Sequence, residues 1–293
     1  MNQSFLRYLG TGFLFAVLWA SASSAGKIGL QSAEGLVLFV VRFLVAGVLL
    51  LGYSTFVQQD RFPKKEEWLP LTIFGLFNTT LYLGIFIISL EEVTAGITSI
   101  SLALNPLLIS TMTALWLKRP VTKIEWISIL IGIAGVVVAS YPLLLHSYAT
   151  PTGLVLLALC MVAYSFGSVY YATIPWKLSR TAINGWQVLM GGILLIPFAF
   201  LFHAKPNHFD LRFWLSIGWL VVPVSIGAVQ LWLYLLKADA VKASIWLFLC
   251  PIFGLVYATI LLNEPFNSYT VIGTVLVLIA LLLGQQQNLR KPS

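Results

Sequence analysis

The stretch Ser99 to Pro106 reads S-I-S-L-A-L-N-P, and Ser244 to Pro251 reads S-I-W-L-F-L-C-P. Five of the eight positions are identical, and 145 residues separate the copies in a chain of 293. The same register sets Leu117 on Leu262 and Pro120 on Pro265. One unit used twice predicts two related halves, 1–147 and 148–293, with the functional site where the copies meet.

With 59% hydrophobic and 9% charged residues, the chain departs from soluble domains, in which about a quarter of residues are charged. Its partner is a lipid bilayer. The net charge of +7 lies in short runs between apolar segments, so it predicts membrane orientation and no nucleic-acid partner. Cys160 and Cys250 both sit in apolar runs and offer neither a disulfide framework nor a metal site.

Ten apolar segments of about the spanning length are read at 6–26, 36–57, 68–90, 93–117, 124–145, 151–174, 183–202, 213–236, 241–262 and 267–285. The fold class is all-α integral membrane, two five-helix repeats around a central cavity. Thirteen Lys and Arg fall on one side, three (Lys27, Lys205, Arg212) on the other, and Arg42 lies within the second segment. Positive charge stays cytoplasmic, which puts both termini inside. Five spans per half is odd, so the second half enters from the opposite side and the repeat is inverted. Arg7, an apolar run and Ala20-Ser21-Ala22 also resemble a secretory signal. The register, which sets Trp19 on Tyr164, reads this segment as the first span instead.

Candidate substrate contacts follow from faces at helical spacing. Thr94, Thr98, Ser101 and Asn105 share one face of the fourth segment, and the register partners in the ninth are Asp239, Ala243, Trp246 and Cys250. Asn78, Tyr82, Ile85 and Ser89 share a face of the third, mapping onto Pro223, Gly227, Gln230 and Tyr234. Trp19 and Tyr164 are candidate cavity walls. The binding set is therefore Trp19, Asn78, Tyr82, Ser101, Asn105, Tyr164, Gln230 and Trp246; the rival reading is interhelical hydrogen bonding and aromatic packing. Pro106 and Pro251 predict bends that free the carbonyls of Leu102 and Leu247, as gates or as fixed kinks. Arg42, with register partner Gln187, either binds a substrate carboxylate or snorkels and ties helix ends together, and its depth favours the second.

Several chemistries are missing. The first segment has no Asp or Glu, which disfavours a buried-acid proton exchange and favours uniport or export down a gradient. Glu91, Glu92 and Glu264 read as helix-end residues. His146, His203 and His208 fall at loops or helix ends, so no metal and no cofactor is expected. No phosphate-binding glycine loop is present, and no nucleophile and base are grouped as a membrane enzyme on lipid-linked substrates would need.

Leu18-Trp19-Ala20-Ser21, Val41-Arg42-Phe43-Leu44, the Pro106 and Pro251 segments, and Leu262-Asn263-Glu264-Pro265 followed by Gly273 together resemble the EamA family of the drug/metabolite transporter superfamily. The resemblance covers nearly the whole chain. It implies a ten-span inner-membrane protein that exports amino acids or other small metabolites, a monomer sufficing for the cavity. Efflux of amphipathic compounds is the alternative. The first half departs from the family pattern, with Arg119 and Ser128 where Glu and Gly are frequent.

Overall fold

The computed structural model describes residues 3–89, 92–93, 101–144, 150–262 and 268–289. Thr94, Thr98, Glu91, His146 and Glu264 lie outside them. The helical stretches, in chain order, are α1 Gln3–Gly29, α2 Gly35–Val57, α3 Lys65–Ser89, α4 Ser101–Trp116, α5 Lys123–Leu144, α6 Pro151–Thr173, α7 Arg180–Leu201, α8 Leu211–Ala238, α9 over 240–262 and α10 Ser268–Leu289. Six of these, α1 to α3 and α6 to α8, are long and apolar enough to cross a membrane, and shorter apolar helices accompany them.

Helix starts are written locally. Thr150, Ser179, Asp210 and Asp239 each accept the backbone N–H three residues on, from Gly153, Ala182, Phe213 and Lys242, capping α6 to α9. At α5, Thr122 and Glu125 exchange bonds, backbone N–H to side chain in both directions. Backbone groups between the caps are satisfied within the helices, the condition for crossing hydrocarbon. The outer face is apolar: Phe56 is 84% exposed, Phe200 80% and Leu115 77%. Apolar side chains bare to this degree suit lipid tails and would aggregate in water.

Packing pairs each helix with partners from the other half. α2 lies along α7 with Phe43 against Gly192, Gly47 against Leu189 and Leu51 against Gly185, so the two run in opposite directions. Gly47 permits the approach, because a Cβ there would fall 2.9 Å from the Leu189 Cα. α5 lies along α10, also reversed: the Ser128 hydroxyl donates to the Ala280 carbonyl (2.6 Å) while Tyr141 meets Tyr269 at 5.1 Å. α1 opposes α8 through Trp219 donating to Ser21 (2.9 Å) and Phe15 stacked on Trp232 (4.9 Å). α6 opposes α3 through Tyr82 with Tyr164 (4.5 Å) and Phe74 with Tyr171 (5.2 Å). α1 runs parallel to α9, where Phe13 meets Phe253, and α4 parallel to α6, where Trp116 meets Phe166.

Two helices widen in the middle. Residues Leu76–Leu81 of α3 and Leu220–Ala228 of α8 are π-helical, and the 145-residue offset superimposes the two stretches. Such wide turns are rare and concentrate at functional positions. α4 and α9 tighten instead. The Leu104 N–H reaches back three residues to the Ser101 carbonyl (3.1 Å), and Trp246–Phe248 form a 3₁₀ turn. Pro106 and Pro251 follow these tight turns within the first turn of the next helical piece. Sequence reading places each proline inside a continuous helix. The structure puts it where the missing N–H is an orphan in any case.

Candidate functional site

The wide turn of α3 turns Asn78 toward α7 and leaves Tyr82 facing α6. Tyr82, 3% exposed, stands against Tyr164, 1% exposed. Tyr164 is stacked with Trp232 at 5.8 Å and tilted against Trp19 at 6.5 Å, and Phe15 lies between Trp19 and Trp232 at 5.9 and 4.9 Å. Five rings from α1, α3, α6 and α8 thus form one buried box. The Cys250 thiol of α9 is buried and lies within electrostatic reach of the Tyr82 and Tyr164 hydroxyls. Trp246, 2% exposed, lies next to it, packed over Gly12 and edge-on to Tyr8 at 6.4 Å.

Polar atoms around the box lack partners. The Tyr164 hydroxyl, the indole N–H groups of Trp232 and Trp246 and the Asn78 Oδ1 are buried and make no hydrogen bond. An unpaired buried donor or acceptor costs about 1–3 kcal/mol, and their concentration here marks a place that holds something polar.

A second polar layer adjoins the first. The Arg42 Nε donates to the Ser225 hydroxyl (2.9 Å), and the Asn184 amide donates to the Ser225 carbonyl (2.9 Å). Gln187 donates to Asn184 (3.0 Å) and accepts from Thr79 (2.7 Å) and Asn78 (3.3 Å). All six side chains are buried. The layer ties α2, α8, α7 and α3 together at one depth. Arg42 is 2% exposed, with its guanidinium 5.3 and 5.2 Å from the rings of Phe39 and Phe43. It therefore turns inward, and the snorkelling expectation does not hold.

Of the candidates read from sequence, Trp19, Tyr82 and Tyr164 come together in the box, Trp246 adjoins it, and Asn78 connects the box to the polar layer. Asn105 is tied to α6: its Nδ2 approaches the Met161 sulfur (3.2 Å) and its Oδ1 accepts from Ser165 (3.2 Å), so it holds α4 beside Tyr164. Ser101, half-buried, stands at the tight turn before it. Gln230 points elsewhere. It lines a cavity of about 330 Å³ with Leu50, Tyr53, Thr181 and Ile226, because two residues along an α-helix is a rotation of about 200° from Trp232. Trp232 and Phe15 were missed. The alternation Gln230, Trp232, Tyr234 offers two faces, and sequence alone does not say which one turns inward.

The helix ends carry the acids. Arg119 donates to Glu125 and to Asp239, both at 2.7 Å, bridging the α4–α5 turn to the start of α9. The departure from the family pattern at Arg119 is thus a charge link between halves. At the other end of α2, Glu34 accepts from the Ala204 and Lys205 N–H groups, both at 2.7 Å, and meets His203 Nδ1 at 2.6 Å. Glu92 accepts from the Thr150 hydroxyl (2.5 Å). Among the described residues, no group of three or more His, Cys, Asp or Glu comes together to hold a metal.

This arrangement has close parallels. A solved crystal structure superimposes with a TM-score of 0.80 over 97% of this chain and 99% of that one, at 18% identity, which establishes a shared fold. An uncharacterised transporter of Synechocystis is 24% identical, covering 93% of this chain and 88% of that protein. The uncharacterised inner membrane transporter YedA of Escherichia coli K12 is 25% identical over 96% and 91%. Protein PecM of Dickeya dadantii is 24% identical over 94% and 92%. The profile of the EamA-like transporter family matches twice, at residues 6–141 and 151–284. Two matched units covering nearly all of the chain place it in the EamA-like transporter family: it is an integral membrane transporter.

Proposed function

We propose that the chain is a secondary carrier that exports small metabolites, amino acids first, across the bacterial inner membrane by alternating access. The observation that carries this reading is the box of Trp19, Tyr82, Tyr164 and Trp232 with its unpaired polar atoms. Aromatic walls with a few polar groups suit a small solute with an apolar body and polar ends. Asn78 and Trp246 supply an acceptor and a donor at its margin, Asn105 and Ser101 position α4, and Gln230 lines the side cavity. The antiparallel pairing of α2 with α7 and of α5 with α10 supports two inverted five-helix repeats, 1–147 and 148–293, hence ten spans with both termini cytoplasmic. A monomer contains the whole box. The tight turns before Pro106 and Pro251 are the hinges, since they interrupt α4 and α9 at matching places.

Energy coupling follows from where the acids stand. Every described carboxylate lies at a helix end or in a loop, so flux driven by the solute gradient alone is the fitting mode. In proteoliposomes loaded with labelled amino acids, Tyr164→Ala and Trp232→Ala should cut efflux at least tenfold with expression and elution profile unchanged, while the lipid-facing Phe200→Ala leaves it intact. Full efflux in both box variants would remove the site. An imposed pH gradient should leave the rate unchanged, and strong acceleration would overturn uniport. Aromatic density also favours amphipathic compounds, and competition by amphipathic cations in the same vesicles separates that reading from the first.

A further inference from the structure

Among the described residues, Arg42 is a buried cation without a counter-ion. Its Nε is spent on Ser225, and among the described residues neither terminal nitrogen has a hydrogen-bond partner. Seven of the eight described carboxylates are committed elsewhere: Glu67 to Arg61, Glu125 and Asp239 to Arg119, Glu34 to His203, Asp60 to Ser54 and Ser179, Glu92 to Thr150, and Asp210 to the Phe213 N–H; the eighth, Glu66, is exposed in the first turn of α3. Phe39 and Phe43 hold the guanidinium plane by cation–π contact. They do not occupy its outer edge. A charge buried in a membrane helix without a partner is costly and marks function by default.

The pseudo-equivalent position sharpens the point. Gln187, 145 residues on, binds the matching part of α3, as Arg42 binds Ser225 of α8. Gln187 is neutral, with its oxygen accepting twice and its nitrogen donating once. Arg42 is charged and keeps spare donors at the same depth. The difference between the halves is thus one positive charge with an open fork, within electrostatic reach of the Tyr82 hydroxyl in the box. Independently, the Asn78 Oδ1, 7% exposed as a residue, is left without a donor in the same polar layer.

We propose that Arg42 is the anion subsite of the carrier: its two terminal nitrogens take the carboxylate of the substrate in a bidentate pair, and Asn78 accepts from a donor group on the same solute. This rests on the transport reading and assigns its substrate class, small organic acids and zwitterions over neutral or cationic analogues. A planar guanidinium with Nε occupied presents the end-on geometry that matches a carboxylate. Lys would offer a point charge and no fork.

The test uses the full chain in lipid nanodiscs and three isosteric pairs that differ in the carboxylate: benzoate with benzamide, L-leucine with L-leucinamide, and L-phenylalanine with L-phenylalaninamide. Binding is followed by thermal shift and by the emission of the ten tryptophans, Trp19, Trp232 and Trp246 among them. For at least one pair the acid should bind ten times or more tighter than the amide. In Arg42→Gln that preference should fall within twofold, and Arg42→Lys should retain part of it. The wild-type comparison stands even if Arg42→Gln does not fold. Equal binding of acid and amide, no binding of either in all three pairs, or an acid preference that survives Arg42→Gln overturns the proposal. Efflux in vesicles that is lost in the box variants yet shows no acid preference would sink the anion subsite alone; efflux unaffected by the box variants would sink the transport site beneath it.

Discussion

Gly12 shows how much one missing atom decides. A Cβ there would fall 2.1 Å from Cε2 of Trp246, inside the indole itself, whereas one at Gly10, two residues away on the opposite face of α1, would meet nothing within 4 Å. Gly12→Ala must therefore push Trp246 from its seat, at a cost of about 1–3 kcal/mol for overpacking. The expected result is a lower melting temperature and a shifted tryptophan emission, with Gly10→Ala neutral or slightly stabilising through helix propensity. Unchanged emission in Gly12→Ala would mean that α1 and α9 separate there at no cost. At this scale the sequence was partly legible. Trp19 and Tyr164 could be picked out because the repeat register aligns them, and Tyr82 because it shares a helical face with Asn78; the structure brings the three rings together. Trp232 could not, since a tryptophan in a lipid-facing helix and one in a core look alike in a chain with 14% aromatics. The inward turn of Arg42 was equally hidden: its depth permits either direction, and what draws it in is Ser225, which sits 183 residues further along the chain.

At the scale of elements, helices were read from apolar length, and where both ends are described they are found within a few residues, α8 for instance at Leu211–Ala238 against 213–236; residues 94–100 of the fourth segment, read from 93, lie outside the described residues. What could not be read was where they change pitch. The π stretches of α3 and α8 arise from packing against neighbours, and no residue in L-F-N-T-T-L requires them. The connections behave differently, because their chemistry is local. Burial pushes the Glu34 carboxyl up, but the Ala204 N–H, His203 and the Lys205 N–H together outweigh it and hold Glu34 below the ordinary carboxylate range. A carboxyl depressed in the folded state stabilises above its unfolded pKa, and that contribution disappears as pH falls through the folded value. The melting temperature should thus drop more steeply below about pH 4.5 in the wild type than in Glu34→Gln. The difference is small, under about 1 kcal/mol for an exposed site. Parallel curves would show that the α1–α2 and α7–α8 connections are not held by this carboxylate.

For the whole molecule, the ion bridge from Arg119 to Asp239 spans the halves at one end of the helices. Arg119 is 28% and Asp239 22% exposed in their side chains, so the bridge contributes modestly to stability. Its effect belongs to motion. Asp239 also caps α9, the helix that carries Cys250, and loosening it should admit small reagents. In a Cys160→Ser background, Asp239→Asn should raise the rate at which N-ethylmaleimide modifies Cys250, buried in the wild type, by severalfold. An unchanged rate would show that the bridge does not restrain this side.

The pairing of helices has a consequence for how such a chain is made and maintained. α2 finds its neighbour in α7, α5 in α10, and α1 in α8 and α9, so a ribosome that has finished the first matched unit has produced helices whose contact faces are still bare to lipid. On this packing neither matched unit should fold without the other. Expressed separately, 1–147 and 148–293 should be cleared by membrane proteases; expressed together as two polypeptides, they should rescue each other. Survival of either alone would show that lipid suffices as its partner.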